Sequence, residues 1–380
     1  MKIILIIGLI DPSGNPRPKR IIELLKAKGC HVEVASFALE RPMNIDAHYE
    51  IRHPSLSMID KVSRKLVGLL GLLSGNEIVQ SWLSNLRWGL SSLGKNLRKN
   101  TYDWIIVEDI YLLPFAFEIK GRAKIMMDAR EFYPEELGHS LFWNVTEKPM
   151  RVSICSKYLK KCDAVMTVSE GLAQRYEEDF GVRPIILRST PNYRDLAMSP
   201  MQDGRIRMVH HGVANRDRRL ESMIELIYKL DDRFYLDVYL TGTTAYIEQL
   251  RDSARDHARI NFLKPVPFEE IIPTLNRYDM GLCYLEPNTF NLTRCLPNKF
   301  FEFIQGRLAV IIGPSPDMMP IINHYKCGVI SEAFSVDSLA QRLNALSAEE
   351  IAAMKLASND AAKDLCYEKE SVRVLNIIGL

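Results

Sequence analysis

No Asp-x-Asp, no Gly-x-Gly-x-x-Gly and no Cys-x-x-Cys occurs anywhere in these 380 residues. Without the first, no paired carboxylates stand ready to hold a divalent cation on a bound pyrophosphate. A diphosphate would have to be met by basic side chains and helix N-termini. Without the second, the dinucleotide-binding fingerprint is absent. The 7 cysteines are odd in number and widely scattered, which supports neither a disulfide framework nor a zinc cluster and fits a reducing, cytoplasmic compartment. No apolar run approaches the ~18 residues of a spanning helix. Charge of one sign is also lacking: 49 basic against 47 acidic residues leave a formal +2, so nucleic acid is not implied as a partner.

What is present is an alternation. Short β-branched runs alternate with helix-length segments, the pattern of repeated βαβ units around a parallel sheet. The opening Met1–Gly8 reads as a buried first strand rather than a signal peptide, because it is rich in β-branched residues and no small-residue cleavage site follows. Strands are expected near 2–7, 32–37, 104–108, 124–128, 164–168 and 185–188, with helices such as 19–28 and 170–179, the latter capped by Ser169. Residues 191–204 turn loop-like and proline-bearing, a hinge. The alternation restarts with strands near 206–211, 235–241, 260–264, 280–285, 309–313 and 328–330. The expected fold class is α/β: two Rossmann-like parallel-sheet domains facing a cleft, over 1–190 and 205–360, with 361–380 a C-terminal helix returning to the first.

Between Asp60 and Asn100 the chain carries Lys61, Arg64, Lys65, Arg87, Lys95, Arg98 and Lys99, interleaved with leucines and with Trp82 and Trp88. Such a stretch suits adsorption to an anionic membrane surface, and it equally suits ordinary helices with solvated lysines. Gly89-Leu-Ser-Ser-Leu-Gly94-Lys95 matches the start of a P-loop. Asn96 follows instead of Ser or Thr, no strand precedes it, and its leucines have helical spacing, so a helix is expected there.

Two segments of the second half could meet an anion. His210-His211-Gly212 ends a strand, and Asn215 to Glu221, with Arg216, Arg218 and Arg219, leads into a helix. A glycine there permits close backbone approach and the arginines add charge; an arginine-rich surface helix entry is the plainer reading. Leu296-Pro297-Asn298-Lys299-Phe300-Phe301-Glu302 starts another helix, whose Lys299 could face phosphate and whose Glu302 could accept ribose hydroxyls. In the first half, Glu108-Asp109 and Asp128-Ala129-Arg130-Glu131 follow strand ends, where acidic groups serve as general bases or as simple caps.

In the order and spacing of these segments the chain resembles the bacterial GT-B glycosyltransferases of the family-4-like group, nearly end to end. Tyr102 to Pro114, Lys124 to Glu131, Cys162 to Gly171, His211-Gly212 with Arg218, and Pro297 to Glu302 carry the resemblance. It implies a metal-independent enzyme without a cofactor. Such an enzyme would move a sugar, with retention, from a nucleoside-diphosphate sugar to a glycan or lipid-linked glycan in surface polysaccharide synthesis. The place of work would be the cytoplasm, peripherally on the membrane's inner face. Gly212, Arg218, Gly242, Asn298, Lys299 and Glu302 would bind donor. Asp128, Glu131 and Asp109 would be catalytic candidates, with Arg130, Arg17 and Glu108 on the acceptor side. The chain departs from the family in four places. Pro16 and Pro18 occupy the region of a glycine pair, Glu108 and Arg130 stand where histidines are common, and Arg294 takes the first place of a Glu-x7-Glu pair. A nucleotide-sugar epimerase or hydrolase, or a non-catalytic binding subunit, are the alternative functions.

Overall fold

The computed structural model describes residues 1–52, 88–136, 141–202 and 204–380. The chain divides into two compact units, residues 1–187 with 371–380, and residues 188–370. The first domain was expected to end at 190, with a hinge over 191–204 and a returning helix over 361–380; residues 188–190, 191–204 and 361–370 all group with the second unit.

Among the described residues the first unit is built on a seven-stranded sheet in which every pairing is parallel. Its strands are β1 (Ile3–Ile7), β2 (His31–Ser36), β3 (Ala47–Glu50), β4 (Trp104–Val107), β5 (Lys124–Asp128), β6 (Ala164–Thr167) and β7 (Ile185–Ile186). Their order is β3-β2-β1-β4-β5-β6-β7, so the winding reverses between β1 and β4. Val32, Ile4, Ile106 and Met126 from successive strands share one core with Ile21, Ile22 and Leu25 of helix α1 (Pro16–Ala27). Val374 and Ile378 near the C-terminus join that core. β3 is the strand that the sequence did not announce. It is a four-residue edge strand, Ala-His-Tyr-Glu, without an apolar run to mark it.

Helix α1 starts at Pro16 rather than near residue 19. Asn15 caps it by accepting the Arg17 N–H, and Pro16 lies in the first turn, where its missing N–H costs no helical bond. The prolines therefore begin the helix instead of delaying it. Helix α2 (Leu90–Leu97) takes up the P-loop-like segment. Leu90, Leu93 and Leu97 are buried while Lys95 is exposed, so this part of the basic stretch is an ordinary amphipathic helix. Residues 53–87, with Lys61, Arg64, Lys65 and Arg87, lie outside the described residues. Among the described residues no helix is long and apolar enough to cross a membrane.

The second unit holds a six-stranded parallel sheet of β8 (Ile206–Ala214), β9 (Phe234–Gly242), β10 (Ile260–Leu263), β11 (Met280–Leu282), β12 (Ala309–Ile312) and β13 (Gly328–Ile330). The order β10-β9-β8-β11-β12-β13 reverses between β8 and β11. Alternate residues feed two cores: Met208 and Ile311 enter one, Val209 and Val310 the other. Helix α3 (Asn298–Gln305) packs against β11 through Phe303. A Cβ on Gly281 would stand 2.3 Å from that ring, so only glycine permits the approach. Phe300, Phe301, Phe303 and Ile304 are fully buried and anchor the helix, at about 1.5–3 kcal/mol for each side chain. β8 runs beyond the expected end at His211 to Ala214, carrying Gly212 within the strand.

Candidate functional site

In each unit the noteworthy polar groups gather where the sheet order reverses, at the carboxyl ends of the strands, where open α/β sheets bind ligands.

In the second unit that point lies between β8 and β11. His210 is buried on β8, and its Nδ1 is 2.8 Å from the Leu282 carbonyl of β11. On its other side Nε2 is 3.1 Å from Lys299 Nζ, which rises from the first turn of α3. Lys299 is only 5% exposed, and burial, then the nearby Arg218, pull its pKa down to about 8. Gly212 has φ +134°, a conformation that side chains avoid, and a Cβ there would meet Lys299 Nζ at 3.2 Å and Arg218 at 3.9 Å. Bare main chain, a lysine and an arginine thus converge. Glu302, one turn along α3, lies 3.2 Å from His211 Nε2.

The remaining donor-side residues surround this cluster. Gly242 ends β9 with φ +110°, and its Cβ position faces Val213 at 3.2 Å. Asn298 is the first residue of α3, but no side chain caps that helix, and Pro297 holds the cap position. Arg218 closes a short turn in which Asn215 accepts the Asp217 N–H. This turn is tied down by Asn288 on the Asp217 carbonyl at 2.6 Å and by an Arg219–Glu286 contact of 2.5 Å. Glu286 is therefore engaged with Arg219, and Arg294 lies 3.5 Å from Asp317.

In the first unit the reversal lies between β1 and β4, and Glu108 stands there. Its side chain rests against Gly8, the residue after β1, whose Cβ would be 3.1 Å away. Glu108 is 1% exposed, and neither carboxylate oxygen has a hydrogen-bond partner among the described residues. Arg130 comes within 3.8 Å of it and donates to its main-chain carbonyl at 3.1 Å, as Tyr133 does at 3.2 Å. Burial, helped by the Asp128 charge and opposed by Arg130 and Arg17, raises the Glu108 pKa to about 7. A carboxyl in that range can hold or release a proton at neutral pH.

The three residues expected to be catalytic fare differently. Asp128 is fully buried, and both its oxygens are taken by Arg17 at 2.6 Å. Both oxygens are thus engaged in a bidentate ion pair with the guanidinium. Arg17, expected on the acceptor side, is itself buried at 4% exposure and also donates to the Leu187 carbonyl at 2.6 Å. Asp109 caps the short turn that follows β4, accepting the Tyr111 N–H at 2.9 Å, and burial raises its pKa. Glu131 is exposed. Among the described acidic residues of the first unit, Glu108 combines a buried carboxylate that lacks hydrogen bonds with a pKa raised to about 7. Nothing in its sequence context foretold this, because burial decides it. The role of His210 was likewise hidden: His210-His211 reads as a plain dipeptide until the strand order sets one imidazole beside Lys299.

Two all-parallel sheets, each with a reversal of strand order, are the architecture of the GT-B fold, and the chain has that fold. HepE from Anabaena, solved with UDP and glucose, is similar at a TM-score of 0.69 and 11% identity, with 100% of both chains covered. A variant of S. aureus TarM, solved with UDP, Fondaparinux and alpha-GlcNAc-glycerol, is similar at 0.72 and 10% identity, again over 100% of both chains. WaaG, a glycosyltransferase involved in lipopolysaccharide biosynthesis, is similar at 0.67 and 12% identity, over 97% of this chain and 99% of its own. At such identities the likeness is one of fold. No protein-family model and no curated protein sequence matches the chain.

Proposed function

We propose that this protein transfers a sugar from a nucleoside-diphosphate sugar to a glycan or lipid-linked glycan acceptor. The observation that carries the reading is the convergence of Lys299, Arg218 and the Gly212 main chain at the strand reversal of the second unit. Two cations beside an open backbone suit a diphosphate, and Glu302 offers oxygens to ribose hydroxyls. HepE and TarM were both solved with UDP, which supports a uridine nucleotide as the first to test.

The finer reading is a retaining, metal-independent transferase of surface polysaccharide assembly, working peripherally on the inner face of the membrane. The basic cluster takes the role that a cation would otherwise fill, and WaaG's part in lipopolysaccharide biosynthesis supports the pathway. Glu108 joins Glu131 as a carboxyl able to handle the acceptor proton, supported by its burial and neutral-range pKa.

The deciding experiment is a melting-shift and calorimetric screen of nucleoside-diphosphate sugars, followed by analysis of products formed with and without acceptor. Binding with transfer supports the proposal. Conversion or hydrolysis of the donor without acceptor points to an epimerase or hydrolase, and binding without turnover to a non-catalytic subunit.

A further inference from the structure

His210 makes two contacts that fix its proton. A carbonyl oxygen only accepts, so the 2.8 Å contact with Leu282 O places the hydrogen on Nδ1. An ammonium only donates, so the 3.1 Å contact with Lys299 Nζ meets a lone pair on Nε2. One protonation pattern satisfies both: a neutral imidazole in the Nδ1–H form beside a charged lysine. An imidazolium would press a second N–H against the ammonium inside the protein. Burial, then Lys299 itself, accordingly hold the His210 pKa well below its ordinary value.

The lysine needs such a partner. It is buried, Arg218 repels it, and it lies so near the Gly212 main chain that a Cβ there would stand 3.2 Å from Nζ. Without an acceptor at its back the ammonium would lose its proton or turn away from the arginine. We propose that His210 is a positioning residue that holds the Lys299 ammonium charged and aimed past Gly212, as the phosphate-facing cation of the donor subsite. His210 accepts one of the three N–H bonds and leaves two for phosphate oxygens. The bond to Leu282 fixes the ring, so the strand reversal between β8 and β11 sets the lysine's direction. The proposal rests on the donor reading of this cluster. The other ionisable groups facing Lys299 and His210 are Arg218, His211, Glu302, Cys283 and Cys295.

The test uses the full chain with labelled histidine and lysine, followed by NMR against pH, and UDP as the binding probe. His210 should show a neutral Nδ1–H ring through the pH range in which an ordinary histidine takes up its proton. His210→Leu should lower the Lys299 midpoint from its wild-type position near 8 by about one unit, an approximately tenfold loss in the charged fraction above that midpoint. The alkaline limit of UDP binding should move the same way. His210→Gln, whose carbonyl oxygen can replace Nε2 as acceptor, should restore most of both. An imidazolium at neutral pH, or a Lys299 midpoint left at its wild-type position in folded His210→Leu, overturns the positioning role, as does a midpoint in folded His210→Gln lowered as far as in His210→Leu. Wild-type protein that binds no UDP at any pH overturns the phosphate-facing assignment instead, and the lysine titration still decides whether His210 sets its charge.

Discussion

Arg17 and Asp128 meet through two contacts of 2.6 Å, from the guanidinium Nε to one carboxylate oxygen and from a terminal nitrogen to the other. The pair joins the start of α1 to the end of β5, and Arg17 extends the tie to Leu187. Asp128→Asn removes one charge and leaves the arginine buried and uncompensated, at a cost of about 3–5 kcal/mol. The variant should therefore melt markedly lower, as thermal and denaturant unfolding would show. An unchanged melting temperature combined with lost transfer would restore Asp128 as the base.

Glu108 predicts a pH dependence of opposite sign to that of most carboxylates. Its pKa rises from an ordinary 4.5 to about 7 on folding, so the folded state binds more protons within that window. Stability is therefore lost as pH climbs through the window, and the penalty is complete above the folded value. At about 1.4 kcal/mol per unit, the penalty is on the order of 3 kcal/mol. Glu108→Gln should raise stability at pH 8 and give little advantage at pH 5, measured by denaturant titration at the two values. If Glu108 handles the acceptor proton, the same variant should also flatten a rate profile whose wild-type limb lies near neutrality, and a profile unchanged by the substitution rules that role out.

Lys299→Ala and Arg218→Ala should each weaken UDP binding by about tenfold or more, the scale of a charge-assisted contact. Glu302→Ala should weaken it too, and more for the nucleotide than for pyrophosphate alone. Calorimetry on the three variants would show this, and wild-type affinity in all three would sink the donor assignment.

Transfer should persist in excess chelator, because Lys299 and Arg218 supply the positive charge. Activity abolished by chelator and recovered with magnesium or manganese would contradict this.

Replacing Lys61, Arg64 and Lys65 with Gln should reduce binding to anionic vesicles, most clearly at low salt. Wild-type protein that binds neutral and anionic vesicles alike, or neither, argues against an electrostatic membrane anchor.

The sequence by itself determined the alternation of strand and helix, because burying a parallel sheet on both faces demands nearly continuous apolar runs such as those of β1, β4 and β12. It also determined several local devices that depend only on neighbouring residues. Ser169 caps its helix by accepting the Leu172 N–H, and the leucines of Gly89–Lys95 make a helix and not a phosphate loop. β3 stayed hidden because an edge strand of four residues needs no apolar run. The state of each polar side chain was not legible, since ionisation and pairing depend on neighbours distant in sequence. As sequence, Asp128 reads as a catalytic candidate and Glu108 as an acceptor-side residue. Only packing gives one of them both oxygens on Arg17 and leaves the other without a hydrogen bond. His210 and Lys299 lie 89 positions apart, and the crossing from β8 to β11 brings them to 3.1 Å. Charge, proton and direction at that site follow from a low-dielectric interior that residue order alone does not describe.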